Sequence, residues 1–175
     1  MAAMHCFQRV IIVTLLSLFS LSLHAAEPIV FTQLSSARNQ PATALINLAS
    51  LETVDGIENI GNTPTSITIN KPGFYLLLAV GQAGSTSLAM IDGGQYVDIW
   101  LIRNDVPVPN STSRITVGQF STGTVITQNI MALNQNDKLS VGFTASSPTF
   151  GLIATPRRGR IPAIPSLIFS LYKVN

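Results

Sequence analysis

Short runs rich in Val, Ile and Thr recur along this chain, broken by Gly, Asn and Pro. β-Branched residues suit a pleated strand, and Gly, Asn and Pro interrupt one. No segment shows the 3.6-residue apolar period of a good helix. The clearest strands are 74–80 (FYLLLAV), 96–103 (YVDIWLIR), 124–133 and 138–144 (KLSVGFT). In the last of these, Leu139, Val141 and Phe143 alternate onto one face. Further strands are expected at 29–34, 66–70, 106–108, 115–120, 150–155 and 167–174. Residues 41–50 read as strand or as a turn of helix. Asp55-Gly56, Gly61-Asn62, Asn104-Asp105 and 134–137 (NQND) read as turns, and 81–87 as a small, polar loop. About ten strands at intervals of roughly 8–12 residues predict a single all-β sandwich or barrel.

The first residues are not fold material. Arg9 precedes an uncharged apolar run, 10–23, which ends at His24-Ala25-Ala26. A basic start, an apolar run below roughly 15 residues and small residues after it describe a secretory signal peptide. A membrane-spanning helix needs about 20 apolar residues, so an uncleaved anchor is the weaker alternative. The expected division is a signal over 1–26 and one domain over 27–175. The expected location is extracytoplasmic: extracellular, cell-surface or periplasmic. No stable membrane span is expected once the signal is removed.

That division removes much chemistry. The chain has 1 Cys and 2 His, and Cys6, His5 and His24 all lie in the signal. From Glu27 onward there is no thiol or imidazole. This excludes disulfides, Cys nucleophiles, His- or Cys-built zinc sites and Ser-His-Asp arrangements. Histidine is also the usual general acid or base near neutral pH. Loss of Arg9 lowers the formal net charge from +2 to +1. A charge that small steers neither nucleic acid nor an anionic membrane. Charged residues make up 10% and hydrophobic residues 46% of the chain. Disorder and coiled coil are therefore excluded.

Four stretches resemble the globular domain of the C1q and tumour necrosis factor (TNF) superfamily. They are Pro72-Gly73-Phe74-Tyr75-Leu76-Leu77, Leu101-Ile102-Arg103-Asn104-Asp105, the turn and strand 133–141 with Asp137, Leu139 and Val141, and the apolar strand 166–172. Their order and separations match over nearly all of the chain after the signal. Asp105 and Asn136 stand where the family has glycine, and these residue types best tolerate the positive φ such turns need. Leu77 replaces an aromatic residue, and Ser170 and Leu171 replace the usual Gly and Phe. The resemblance is that of a distant member. It implies a ten-stranded TNF/C1q-like jelly roll. It also implies a homotrimer, with the inner sheet of each subunit packed on the next around a threefold axis.

Several residues are candidates for function. Arg157, Arg158 and Arg160 form the one cationic cluster, in an expected loop before 161–165 (IPAIP). The arginine fork suits carboxylate, sulfate or phosphate, and the competing reading is a solvated loop. Asp92 and Asp98 flank Gly93-Gly94, but calcium wants six to eight oxygens, and Asp98 reads equally as a solvent-facing strand residue. Glu52, Asp55 and Glu58 form an acidic cluster that nothing holds at a working separation for glycoside hydrolysis. Trp100 reads as a core or interface residue before a sugar platform. Asn110-Ser111-Thr112 fits an N-glycosylation acceptor, which requires a eukaryotic secretory host.

Together these features point to a secreted, non-enzymatic binding or adhesion module acting as a homotrimer. Its expected partners are itself and a glycan or protein ligand, bound through loops that include Arg157, Arg158 and Arg160. No cofactor, metal or nucleic acid is expected. The alternative is a structural trimeric surface or matrix protein whose main partner is itself.

Overall fold

The computed structural model describes residues 31–51, 53–57, 60–63, 65–86, 94–118 and 121–174, with the backbone alone for 53–57 and 60–63. The expected signal, 1–26, lies outside the described residues, as do Glu52, Glu58 and Asp92.

Among the described residues there is no helix. The strands are β1 (Phe31–Ser36), β2 (Gln40–Pro41), β3 (Asn47–Leu48), β4 (Thr53–Ile57), β5 (Ile60–Thr63), β6 (Ser66–Ile69) and β7 (Gly73–Ser85). They continue as β8 (Gln95–Arg103), β9 (Val106–Pro107), β10 (Ser113–Val117), β11 (Gly123–Leu133), β12 (Lys138–Ala145), β13 (Phe150–Leu152) and β14 (Leu167–Lys173). The expected ten are thus fourteen. The surplus is β2 and β3, pairings of two residues in and beside the ambiguous stretch 41–50, and β4 and β5, which run through Asp55-Gly56 and Gly61-Asn62.

Two antiparallel sheets form a jelly roll. The first runs β4-β1-β14-β7-β11, with β13 beside the far end of β7 and β2 beside β13. The second runs β10-β8-β12-β6-β5, with β3 on β12 and β9 on β8. Their facing sides interdigitate into one core. Leu34, Tyr75, Leu77, Phe169 and Leu171 come from the first sheet, and Ile67, Ile99, Leu101, Leu139, Val141 and Phe143 from the second. Leu139, Val141 and Phe143 therefore share the core face, as their alternation predicts.

Four sequence expectations change. β7 runs on through Gly81, Ala83 and Gly84 to Ser85, because β11 pairs along one edge and β14 then β13 along the other. Asp55-Gly56 is not a turn but the middle of β4, opposite Gln33 and Thr32. Gly61-Asn62 likewise lies within β5, opposite Thr68 and Ile67. Residues 41–50 hold no helix, only the short pieces β2 and β3. In each case a partner strand supplies hydrogen bonds that outweigh the residues' local turn preference.

The expected turn chemistry holds. Asn104 and Asp105 have φ of 51° and 64°, the pair of positive values that a two-residue hairpin turn favours, and Asn136 has φ of 70°. The final strand, β14, lies between β1 and β7, so the end of the described chain is built into a sheet.

Candidate functional site

β13 and β14 lie end to end beside β7, and the chain between them leaves the sheet as an arm. The expected loop is an ordered antiparallel hairpin. Thr155 and Ile164 exchange two backbone hydrogen bonds, each 2.9 Å, and Arg158 and Ile161 exchange two more of 3.1 and 3.0 Å. Gly159 closes the tip at φ 59°. Pro156, Pro162 and Pro165 fix φ along both legs. Arg157, Arg158 and Arg160 are all exposed at the tip. The Arg157 Nε–H donates to the Gly159 carbonyl at 3.0 Å, a bond in which its terminal nitrogens take no part. The structure brings the three arginines together and gives them a rigid support.

The arm stands at the end of the first sheet that also carries the turn after β1. Two clefts flank its foot and share Ile164 and Pro165. One, of about 390 Å³, is lined by Ser35, Arg38, Asn39, Thr155 and Ala163 among others. The second, of about 340 Å³, lies over Val80, Gln82 and Thr124 on the sheet face. The Asn39 side-chain carbonyl accepts the Ala154 N–H at 2.8 Å, and Gln82 Nε2 donates to the Thr155 hydroxyl at 3.2 Å, so both sides of the foot are anchored. Sequence reasoning missed Arg38 and Asn39. They lie more than 110 residues from the arm, and only the pairing of β2 with β13 brings them beside it.

The outer face of the first sheet is the second feature. Strand alternation places Phe31, Gln33 and Ser35 of β1, Phe74, Leu76, Leu78, Val80 and Gln82 of β7, Thr124, Ile126, Gln128, Ile130 and Ala132 of β11, and Ile168, Ser170 and Tyr172 of β14 on it. None of these residues of β1, β7, β11 and β14 is charged; β4, at the edge of the same sheet, sets Asp55 opposite Gln33. Phe74 is 56%, Ile126 51% and Ile130 64% exposed. The sequence carried a sign of this. In 74–80 and 167–172 both alternating sets are largely apolar, the pattern of a strand buried on two sides.

The other candidates sort differently. Asp98 does not face solvent freely. It is 8% exposed and takes a bidentate pair from Arg114, Nε–H and Nη2–H donating at 2.7 and 2.8 Å. That hydrogen bonding raises the Arg114 pKa. The guanidinium also stacks over Tyr96, 3.9 Å from the ring centre. A carboxylate so engaged is not a calcium ligand in waiting. Asp55 sits in β4, away from any turn. Asn110 is exposed with φ of 59°, whereas Ser111 is buried and donates to the Val108 carbonyl at 2.8 Å.

Trp100 is not a core residue. It lies half-buried on the outer face of the second sheet, over Gly142. A Cβ on Gly142 comes within 2.5 Å of the indole. Gly142→Ala therefore has to displace the ring, and it is expected to cost about 1–3 kcal/mol. Because Trp100 is the only tryptophan, a shift of its emission reports the displacement directly.

At the opposite end from the arm, Asp137 joins two turns. Its carboxylate accepts Arg103 Nη2–H at 2.6 Å, Asn104 Nδ2–H at 2.7 Å and the Asn134 N–H at 2.6 Å. Burial on its own raises the Asp137 pKa, but these hydrogen bonds and the Arg103 charge outweigh it and hold the carboxyl below its ordinary value. Among the described residues no cluster of three or more His, Cys, Asp or Glu is placed to hold a metal ion. No helix among them is long and apolar enough to cross a membrane.

No protein-family model matches the chain, and no curated protein matches it. Solved structures do. They include murine APRIL, a TNF-family jelly-roll protein, in crystals at pH 5.0, 8.5 and 8.0. The TM-scores are 0.56, 0.53 and 0.54, at 9% identity, covering 83% of this chain and 99% of the APRIL chain. At that identity the likeness is one of fold, and the fold is the TNF/C1q-like jelly roll that the sequence resembles.

Proposed function

We propose that this chain is a secreted, non-enzymatic binding module that acts as a homotrimer. Residues 1–26 direct export and 27–175 form the single functional domain. The observation that carries the reading is the largely apolar outer face that β1, β7, β11 and β14 form, where Phe74, Ile126 and Ile130 are more than half exposed. A soluble monomer seldom leaves a broad apolar face of that kind in water. A second copy is the occupant it suits, because these four strands set no charged side chain on that face to select a charged partner. The jelly-roll fold supports closure around a threefold axis, in which one patch on each subunit meets a different patch on the next.

In such a trimer the three arginine arms come from one rigid body. Weak contacts at each tip then add as avidity against a repetitive surface. A purely structural trimer shares the sheet-face contact. The ordered arm favours recognition, since a loop serving only to solubilise the chain needs neither its backbone hydrogen bonds nor its prolines.

Light scattering on a sizing column tests the reading. The chain from Glu27 onward is expected to elute with a mass of three subunits. A clean, soluble monomer at micromolar concentration overturns the trimer and the avidity argument with it.

A further inference from the structure

The arginine tip and the larger cleft at its foot form one continuous surface. From Lys138 to Asn175 the chain contains no acidic residue, so nothing within this segment neutralises the arm. The ion pairs Arg103–Asp137 and Arg114–Asp98 do not involve Arg157, Arg158 or Arg160. The cleft of about 390 Å³ opens beside that charge and carries polar groups from Ser35, Arg38, Asn39 and Thr155. Asn39 uses its carbonyl oxygen on Ala154, a bond in which its NH2 takes no part. The cleft falls within the range of about 300–1,000 Å³ usual for small-ligand sites.

We propose that the arm and this cleft together bind an anionic polysaccharide. A sugar ring occupies the cleft against Arg38, Asn39 and Thr155, and sulfate or carboxylate groups along the polymer meet Arg157, Arg158 and Arg160. The inference rests on the recognition role proposed above for the arm, and not on the trimer.

Three physical points select this class. The planar guanidinium fork matches a sulfate or carboxylate with two parallel hydrogen bonds, better than a point-charge ammonium does. No aromatic side chain lines the cleft or the hairpin, so a single-stranded nucleic acid has no platform for its bases. A bilayer surface is flat and leaves the cleft unfilled. The prolines and four backbone hydrogen bonds of the arm also lower the ordering cost on binding.

The test measures affinity for immobilised heparin (sulfated), polygalacturonate (carboxylated) and neutral dextran across a salt series. Heparin, polygalacturonate or both are expected to bind, with affinity falling as salt rises, and dextran is expected not to bind. The triple variant Arg157→Ser, Arg158→Ser, Arg160→Ser is expected to lose about tenfold or more, the scale of charge-assisted hydrogen bonds. The corresponding triple Lys variant keeps the charge without the fork and is expected to fall between the two. Ala163→Trp fills the cleft, leaves every arginine in place, and is expected to weaken binding several-fold.

Circular dichroism and the sizing column are run on each variant. Loss of binding at unchanged fold and mass supports the site. Triple-Ser binding within twofold of the unaltered protein overturns it, and so does an Ala163→Trp variant that binds as the unaltered protein does. Failure of the unaltered protein to bind either anionic polymer at low salt also overturns it. Equal or tighter binding to phosphatidylglycerol vesicles or to a single-stranded oligonucleotide assigns the arm to a different partner. A monomer that still binds heparin overturns the trimer and leaves this site standing.

Discussion

Ile126→Lys combined with Ile130→Lys is expected to convert the oligomer to a monomer without unfolding it. Both side chains point outward from β11, opposite Val80 and Leu76 of β7, and both are more than half exposed in the single subunit. A lysine there costs the isolated fold little, because surface substitutions away from special contacts usually change stability by about 0.5 kcal/mol or less. Within a self-association interface the same lysines meet the largely apolar faces of β7, β11 and β14, strands that contain no carboxylate. Desolvating an unpaired charge costs several kcal/mol, and closure around a threefold axis repeats the cost in every subunit. Thr116→Lys, on the exposed outer face of the second sheet, supplies the charge control. The sizing column reads the result. If the double variant keeps the mass of three subunits, the outer face of the first sheet is not the interface.

Asp137→Ala is expected to be the most destabilising change at the end opposite the arm. It removes the acceptor for three hydrogen bonds at once, two of them from the β8–β9 turn and one from the β11–β12 turn. Arg103 remains 32% exposed, so solvent screens the ion pair, and the hydrogen bonds set most of the loss. Removal of a buried carboxylate that accepts several bonds costs about 2–4 kcal/mol. For a domain of this size that is a fall of roughly 4–16 °C in Tm. Asp137→Asn keeps one acceptor and is expected to lose less.

The same group makes stability depend on pH. Its folded pKa lies below the unfolded value, so its contribution is fully present above the ordinary carboxylate range, near pH 4. That contribution is lost as pH falls through the depressed folded pKa. The Tm gap between the unaltered protein and Asp137→Ala is therefore expected to be constant near neutrality and to close in acid. A gap that stays open at low pH would show that the carboxylate charge is not what locks the turns.

Much of the fold was legible in the residues themselves. Alternation placed Leu139, Val141 and Phe143 on the core face, and the β-branched runs marked the longer strands. Asn104, Asp105 and Asn136 were readable as positive-φ turns because few other side chains tolerate that conformation. These are local properties of a few neighbouring residues. What the sequence alone misread depends on partners far along the chain. Gly81, Ala83 and Gly84 look like a loop until β11 and β13 pair beside them. Asp55-Gly56 looks like a turn until β1 lies opposite.

The candidate sites divide in the same way. The sequence by itself determined the chemistry within reach: no thiol or imidazole after the proposed signal, little charge, and one arginine cluster at 157–160. Tertiary structure decided how those residues are presented. It set the arginines on a braced hairpin, carried Arg38 and Asn39 to its foot, tied Asp98 to Arg114, and decided between the core and interface readings of Trp100 only so far as to take it out of the core. It also gathered apolar residues from β1, β7, β11 and β14 onto one sheet face. Residue type and alternation are written along the chain. Which strand lies beside which is a long-range choice, made when the two sheets bury their shared side.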